Sequence, residues 1–167
     1  QGFEELQNRE SMAAILGELK DAGAAPILVK LAPDLPEPAI EDALAIVREL
    51  NLDGVVATNT STERPASLQS KHRVETGGLS GKPIEDRATR MVRFVAERVD
   101  VPVVGVGGVS SAEGAYRKIR AGATLVELYT ALVYEGPTLA REINEGLVAL
   151  LEADGFETIE DAVGADL

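Results

Sequence analysis

The stretch VPVVGVGGVSS, Val101–Ser111, decides how this chain folds. Its β-branched run reads as a buried strand, Gly107–Gly108 as a tight turn, and Ser110 as the start of a helix. A strand, turn and helix in that order bring backbone N–H groups to one point at a helix N-terminus, an arrangement suited to holding a phosphate. A Cβ at Gly107 or Gly108 would keep an anion off the backbone. The same letters also serve where a strand only needs a tight turn, so on this stretch alone both readings stand.

Working outward, the strand-then-helix unit recurs. Upstream, Met12, Ile15, Leu16 and Leu19 give residues 10–22 a helical stripe that Gly23 can end as C′. Ile27–Leu31, ILVKL, is a short strand after Pro26, with Lys30 out of character among apolar neighbours; Ala32, Pro33 and Asp34 follow as a loop. Ile40, Ala43, Leu44 and Val47 predict a helix over 38–50, closed by Asn51. The strand Gly54–Ala57 then runs straight into Thr58, Asn59 and Thr60. Residues 61–83 hold no period and end in TGGLSGKP with Leu79 as an apolar anchor, and a loop of this length inside a domain is usually functional or disordered. Helix returns over 85–98 through Ala88, Met91, Val92 and Val95.

Downstream of the opening stretch, Ser110 and Glu113 have capping-box spacing and Gly122 ends the helix. Thr124–Tyr129, TLVELY, predicts a fourth strand, Pro137 sits at N1 of a last helix striped by Leu139, Ile143, Leu147 and Leu150, and a short capped turn closes the chain at Thr158–Asp161. The order is α followed by βα four times, which implies parallel strands and right-handed crossovers. Polar residues cluster at the strands' C-terminal ends, where an α/β barrel carries its chemistry, and a barrel commonly holds phosphate on the loops after its last two strands. On that reading the third and fourth strands are barrel strands seven and eight. The expected fold class is therefore α/β: residues 1–167 as a single partial domain, the C-terminal half, about four βα units, of a (β/α)8 TIM-type barrel, since 167 residues fall short of the roughly 250 of a full barrel. A doubly wound open sheet competes, but its glycine fingerprint belongs after the first strand and here follows the third.

Bulk properties narrow the function. Asp and Glu number 28 against 16 Lys and Arg, a net charge of -12 that argues against nucleic acid or an anionic membrane surface as partner. The acidity serves solubility or a high-salt cytoplasm. With no cysteine and His72 as the single histidine, no metal site is expected and a serine–histidine triad is disfavoured. No apolar run approaches the roughly 18 residues of a membrane span, so the chain by itself is expected to be soluble.

The series VKLAPD (Val29–Asp34), DGVVATNTS (Asp53–Ser61), TGGLSGKP (Thr76–Pro83), PVVGVGGVSS (Pro102–Ser111) and AGATLVELYTALVYEGP (Ala121–Pro137) resembles the C-terminal half of dihydroorotate dehydrogenase, in the style of the class 2, quinone-dependent form. That family is an FMN-containing α/β barrel that oxidises dihydroorotate to orotate in pyrimidine synthesis. The resemblance implies that Lys30 contacts the flavin ring near N1 and the C2 carbonyl, where a fixed ammonium stabilises the charge that reduction leaves. It implies that Thr58, Gly81, Gly108, Tyr129 and Thr130 bind FMN, the last four around its phosphate and ribityl chain, and that Asn59 and Thr60 hydrogen-bond orotate. Read without the family, Lys30 is a snorkelling lysine, Asn59 an Asx turn and Tyr129 a core aromatic. Arg64 and Lys82 border the loop, either steering an anionic substrate or serving as plain surface charge.

The family's catalytic base, a serine, is expected upstream of Gln1, so this chain supplies no catalytic residue and is expected to be inactive alone. The helical region by which class 2 members reach quinone, peripheral to the cytoplasmic side of the membrane, matches nothing here. A half-barrel leaves two strand edges unpaired, so an N-terminal half of the same barrel, or self-association, is expected as partner. Another FMN barrel enzyme, such as class 1 dihydroorotate dehydrogenase, and a non-catalytic phosphate-ligand module are the alternatives.

Overall fold

The computed structural model describes residues 8–167. Four strands, β1 (Leu28–Leu31), β2 (Gly54–Ala57), β3 (Val103–Val106) and β4 (Leu125–Glu127), pair in parallel in the order β1-β2-β3-β4. Around them run α1 (Arg9–Asp21), α2 (Glu37–Glu49), α3 (Glu85–Ala96), α4 (Ala112–Arg120), α5 (Thr130–Glu135), α6 (Leu139–Asp154) and α7 (Ile159–Ala162), with 3-10 turns at Lys71–Val74 and Lys82–Ile84.

Each strand lies beside its predecessor. A doubly wound sheet must reverse its strand order at a switch point, and none occurs among the described strands. The open-sheet alternative is thereby removed, and the architecture is α/β with a parallel sheet that forms part of a barrel. Repeated right-handed crossovers produce this order.

The sheet has two unlike faces. Register aligns Val29, Val55 and Val103 in one row and Leu31, Ala57 and Gly105 in the next. Apart from Gly105 these side chains pack into the main core with Ile40, Leu44 and Val47 of α2 and Met91, Val92 and Val95 of α3. Burying each such aliphatic side chain is worth about 1.5–3 kcal/mol, so this helix-facing layer holds the fold. The opposite face carries the row Lys30, Val56, Val104 and Leu125. On it Leu28 and Leu125 are exposed, 40% and 62% respectively, as befits the inner wall of an incomplete barrel. The Lys30 Nζ on the first strand lies 3.7 Å from Glu127 Oε2 on the last, so the sheet curls around that face.

Local signals explain most boundaries. Gly23, Asn51 and Gly122 follow the C-caps of α1, α2 and α4 with positive φ, as C′ residues should. Thr158 and Asp161 form the expected capping box on α7. Three expectations are corrected. The N-cap of α4 is Ser111, whose side chain accepts from Gly114 N–H, and not Ser110. Pro137 lies outside α6, whose N-cap is Thr138. The fourth strand stops at Glu127 because Leu128–Tyr129 turn into α5, a helix of 6 residues too short to show a period.

Candidate functional site

The C-terminal ends of the four strands surround a cavity of about 380 Å³, within the usual range for a small-molecule site. All eight residues that the resemblance assigns to cofactor or substrate line it, whereas Arg64 and Lys82 do not. Lys30 comes from β1, Thr58, Asn59 and Thr60 from the end of β2, and Gly81 from the return of the long loop. Gly108 follows β3, and Tyr129 and Thr130 follow β4. Ile84, Val106, Val109 and Leu128 supply apolar wall between these polar ends.

The glycine end is shaped by close backbone packing. Gly108 has φ 78°, and a Cβ there would lie 2.4 Å from Glu85 Cβ and 2.9 Å from Glu85 N, so the turn rests directly on the first turn of α3. Gly81, also at positive φ, faces Thr130: a Cβ would fall 2.9 Å from its Cγ2. Thr130 Oγ1 donates to Ser80 Oγ at 2.8 Å, which joins the loop after β4 to the long loop. Three loops thus meet where hydroxyls and backbone N–H groups concentrate, the chemistry an anionic group requires. Tyr129 is 79% exposed, which removes the core-aromatic reading.

At the other end, Lys30 is half-exposed and faces Glu127, a partner that the sequence reading did not anticipate. Strand alternation sends it to the cavity face while its neighbours Val29 and Leu31 enter the core. Thr58 is buried and its hydroxyl donates to the Asn59 carbonyl at 2.8 Å. Its backbone N–H donates to Val106 O at 2.9 Å and that of Asn59 to Leu31 O at 2.7 Å, which locks the triplet between β1 and β3. Asn59 Oδ1 accepts from Thr60 N–H at 2.9 Å, a contact with the next residue and so not an Asx turn, which closes on the second residue along.

Two charged clusters support the site. Asp34, just past β1, accepts from Ser61 Oγ at 2.7 Å, Thr62 N–H at 2.6 Å and Arg87 Nη1 at 2.6 Å. Burial alone would raise its carboxyl; the bonds from Ser61 and Thr62 and the Arg87 charge outweigh that and hold it below its ordinary value. Behind the Gly108 turn, the buried Glu85 pairs with Lys82 and Arg117, and the fully buried Lys118 donates to Thr89 Oγ1 at 2.9 Å. Burial pulls the Lys118 ammonium down to about 8. The sequence reading passed over Glu85 and Lys118, although the place of Lys118 on the buried stripe of Ala115 and Ile119 was a usable signal. Lys82, read as a steering or surface charge, is committed to Glu85, and Arg64 is bound to backbone carbonyls rather than free in solvent. No cluster of metal-ligating side chains occurs among the described residues.

Comparison with known proteins places this geometry. The family model described as Dihydroorotate dehydrogenase matches residues 1–151. The chain is 78% identical over 167 residues to a Haloarcula marismortui protein named Dihydroorotate dehydrogenase (quinone), covering all of this chain and 48% of that protein. It is 66% identical over 166 residues to a protein of the same name from Halobacterium salinarum, covering 99% of this chain and 48% of the relative. The ligand-free DHODH crystal structure from Eimeria tenella superposes with a TM-score of 0.95 at 32% identity, over 99% of this chain and 52% of that one. The chain therefore spans about half the length of the relatives it matches. With that family's model matched over residues 1–151 and relatives of that name at 78% and 66% identity, the chain belongs to the dihydroorotate dehydrogenase family.

Proposed function

We propose that this chain is the C-terminal half of a quinone-linked dihydroorotate dehydrogenase barrel, which binds FMN in the cavity and oxidises dihydroorotate to orotate for pyrimidine synthesis. The observation that carries the reading is convergence: motifs scattered from Lys30 to Thr130 line one cavity at the strand ends of a protein in this family. The residues fit the cofactor. The backbone at Gly81 and Gly108 and the Thr130 hydroxyl line the cavity and suit a phosphate. A Cβ at Gly108 would meet Glu85 and one at Gly107 would meet Ala88, so those glycines are required by packing against α3 and not, as the sequence suggested, by the anion. Ile84, Val106 and Leu128 suit the flat face of a ring system; Lys30 suits its carbonyl edge. When bound, FMN supplies the two-electron acceptor.

The chain's own residues orient and stabilise. Lys30 brings an ammonium to the cavity, 3.7 Å from Glu127 Oε2, where it would stabilise negative charge developing on a bound ring. Asn59 and Thr60, held between β1 and β3, offer the donors and acceptor that a ring of alternating carbonyl and N–H groups needs. Thr58 supports them from the buried side. The C5 proton of the substrate goes to a serine on the other half of the barrel. Electron transfer to quinone brings the complete protein to the cytoplasmic face of the membrane as a peripheral protein; none of the described helices is long and apolar enough to cross one.

A dihydroorotate oxidation assay with a soluble quinone tests this. The complete barrel is expected to turn over and this chain alone is not. Turnover by this chain alone overturns the half-barrel assignment, and a complete barrel without dihydroorotate oxidation overturns the function.

A further inference from the structure

The long loop leaves β2 at Thr58 and returns at Gly81, and its two limbs are joined near the base. Ser61 and Leu79 form an antiparallel bridge, with Ser61 N–H donating to Leu79 O at 2.9 Å and Leu79 N–H to Ser61 O at 2.7 Å. Beside the bridge lies Arg64. Its Nη1 donates to the carbonyls of Ser61 at 3.3 Å, Thr62 at 3.1 Å and Glu63 at 3.3 Å on the outgoing limb. Its Nη2 donates to the carbonyls of Glu75 at 3.1 Å and Gly77 at 2.7 Å on the returning limb. A guanidinium can do this because its N–H groups fan out in one rigid plane, whereas an ammonium is a single point of charge. The outgoing limb is fixed to the barrel through Asp34, Arg87 and Glu63. Arg64 ties the returning limb to that fixed one.

The residue after Gly77 shows where this tie acts. Gly78 lies against Thr60 so closely that a Cβ on it would fall 2.0 Å from Thr60 Oγ1 and 2.6 Å from Thr60 Cβ. The backbone at Gly78 therefore packs against the Thr60 hydroxyl, and its place is set from one side by Gly77, which Arg64 holds, and from the other by Leu79, which the bridge to Ser61 holds. Ser80 and Gly81, which meet Thr130, are reached only after the Ser61–Leu79 bridge has anchored the chain again.

We propose that Arg64 is a positioning residue for substrate: it clasps the two limbs so that Gly78 braces Thr60, and it sets the substrate end of the cavity while leaving the phosphate end alone. This rests on the reading above, in which Asn59 and Thr60 hold the dihydroorotate ring. It differs from electrostatic steering, which any positive charge at position 64 would provide.

The test uses the complete FMN-bound protein and its Arg64→Gln, Arg64→Lys and Gly78→Ala variants, with flavin content, orotate Kd from the flavin absorbance change, and kcat and KM for dihydroorotate. All three variants are expected to keep wild-type flavin content while orotate affinity and kcat/KM fall by about 10- to 100-fold, the scale of a substrate misplaced by about 1 Å. Arg64→Lys is expected to fare no better than Arg64→Gln. Wild-type kinetics in Arg64→Gln overturns the clasp, and recovery in Arg64→Lys replaces it with charge steering. Loss of flavin in proportion to activity overturns the claim that the effect is confined to the substrate end. If Arg64→Gln does not fold, Gly78→Ala decides: wild-type orotate affinity there refutes the brace. A wild-type protein that carries flavin yet binds no orotate overturns the functional reading and the clasp with it, whereas variants matching an active wild type overturn the clasp alone.

Discussion

Lys118 makes the stability of this fold depend on pH in a window where few other groups titrate. It is fully buried on α4, its stem passes over β3 at Gly105, and its Nζ has Thr89 Oγ1 at 2.9 Å and the Glu85 carbonyl at 3.4 Å as acceptors. Burial pulls its pKa from 10.5 to about 8; the charges of Glu85 and Asp86 oppose that, and those of Arg117 and Lys82 add to it. The folded pKa is below the unfolded one, so between about 8 and 10.5 the unfolded chain binds more protons and stability rises with pH. Below that window both states are protonated and the folded state bears the full cost of a buried charge, about 3 kcal/mol from the difference between 10.5 and about 8. Between pH 7.5 and 9.5 this predicts a gain of about 2 kcal/mol in unfolding free energy. This chain adds no cysteine and one histidine to that interval, and the difference between wild type and Lys118→Met removes whatever the rest of the barrel contributes. The assay is urea unfolding of the complete barrel at intervals across it, for wild type and Lys118→Met. The variant is expected to lose the slope and to be the more stable protein at pH 7.5, because Met fills the same channel uncharged and Thr89 Oγ1 still donates to Glu85 O at 2.9 Å. A slope that is the same in wild type and Lys118→Met refutes the reasoning.

Gly108→Ala places a Cβ 2.4 Å from Glu85 Cβ at φ 78° and is expected to destabilise by about 2 kcal/mol or more and to empty the flavin site, read by thermal melting and flavin absorbance. Lys30→Met leaves the core untouched because Lys30 is half-exposed, so flavin content and Tm are expected to hold while kcat for dihydroorotate falls by about 100-fold or more; an equal loss of flavin would show a binding role instead. Asp34→Asn removes a carboxylate whose folded pKa is lowered, and wild-type stability is therefore expected to fall as pH drops from its unfolded value of 3.8 through the folded one; acid titration of the variant should lack that component. With a net charge of -12, Tm is expected to rise with added KCl as screening relieves self-repulsion, and a salt-independent Tm would count against that.

Most of the fold was legible because it is written in local chemistry. The β-branched runs at Val55–Val56 and Val103–Val104 became strands, and Gly23, Asn51 and Gly122 closed helices as their αL preference requires. The residues lining the cavity were legible because the strand-end positions of Lys30, Thr58–Thr60 and Tyr129–Thr130 agreed with the motifs that carry the family resemblance; alone, a polar triplet after a strand reads as a turn. What escaped depends on contacts distant in sequence. α5 is too short to show a period, and the Ser110–Ser111 choice of cap turns on one residue of register. No signal local to Glu85 announces that Gly108 and Gly114 pack onto it. Arg64 looked like surface charge, since nothing local announces that carbonyls 11 and 13 residues away will fold back to it.

The central claim is that the cavity running from Lys30 to the Gly81, Gly108 and Thr130 loops is a flavin site with the substrate held beside it by Asn59 and Thr60. The visible absorption spectrum of the purified complete barrel, before and after adding orotate, tests it most directly. Flavin bands in the purified protein that shift on orotate addition are the predicted result; a spectrum without flavin bands, or flavin bands that orotate leaves unmoved, would contradict it.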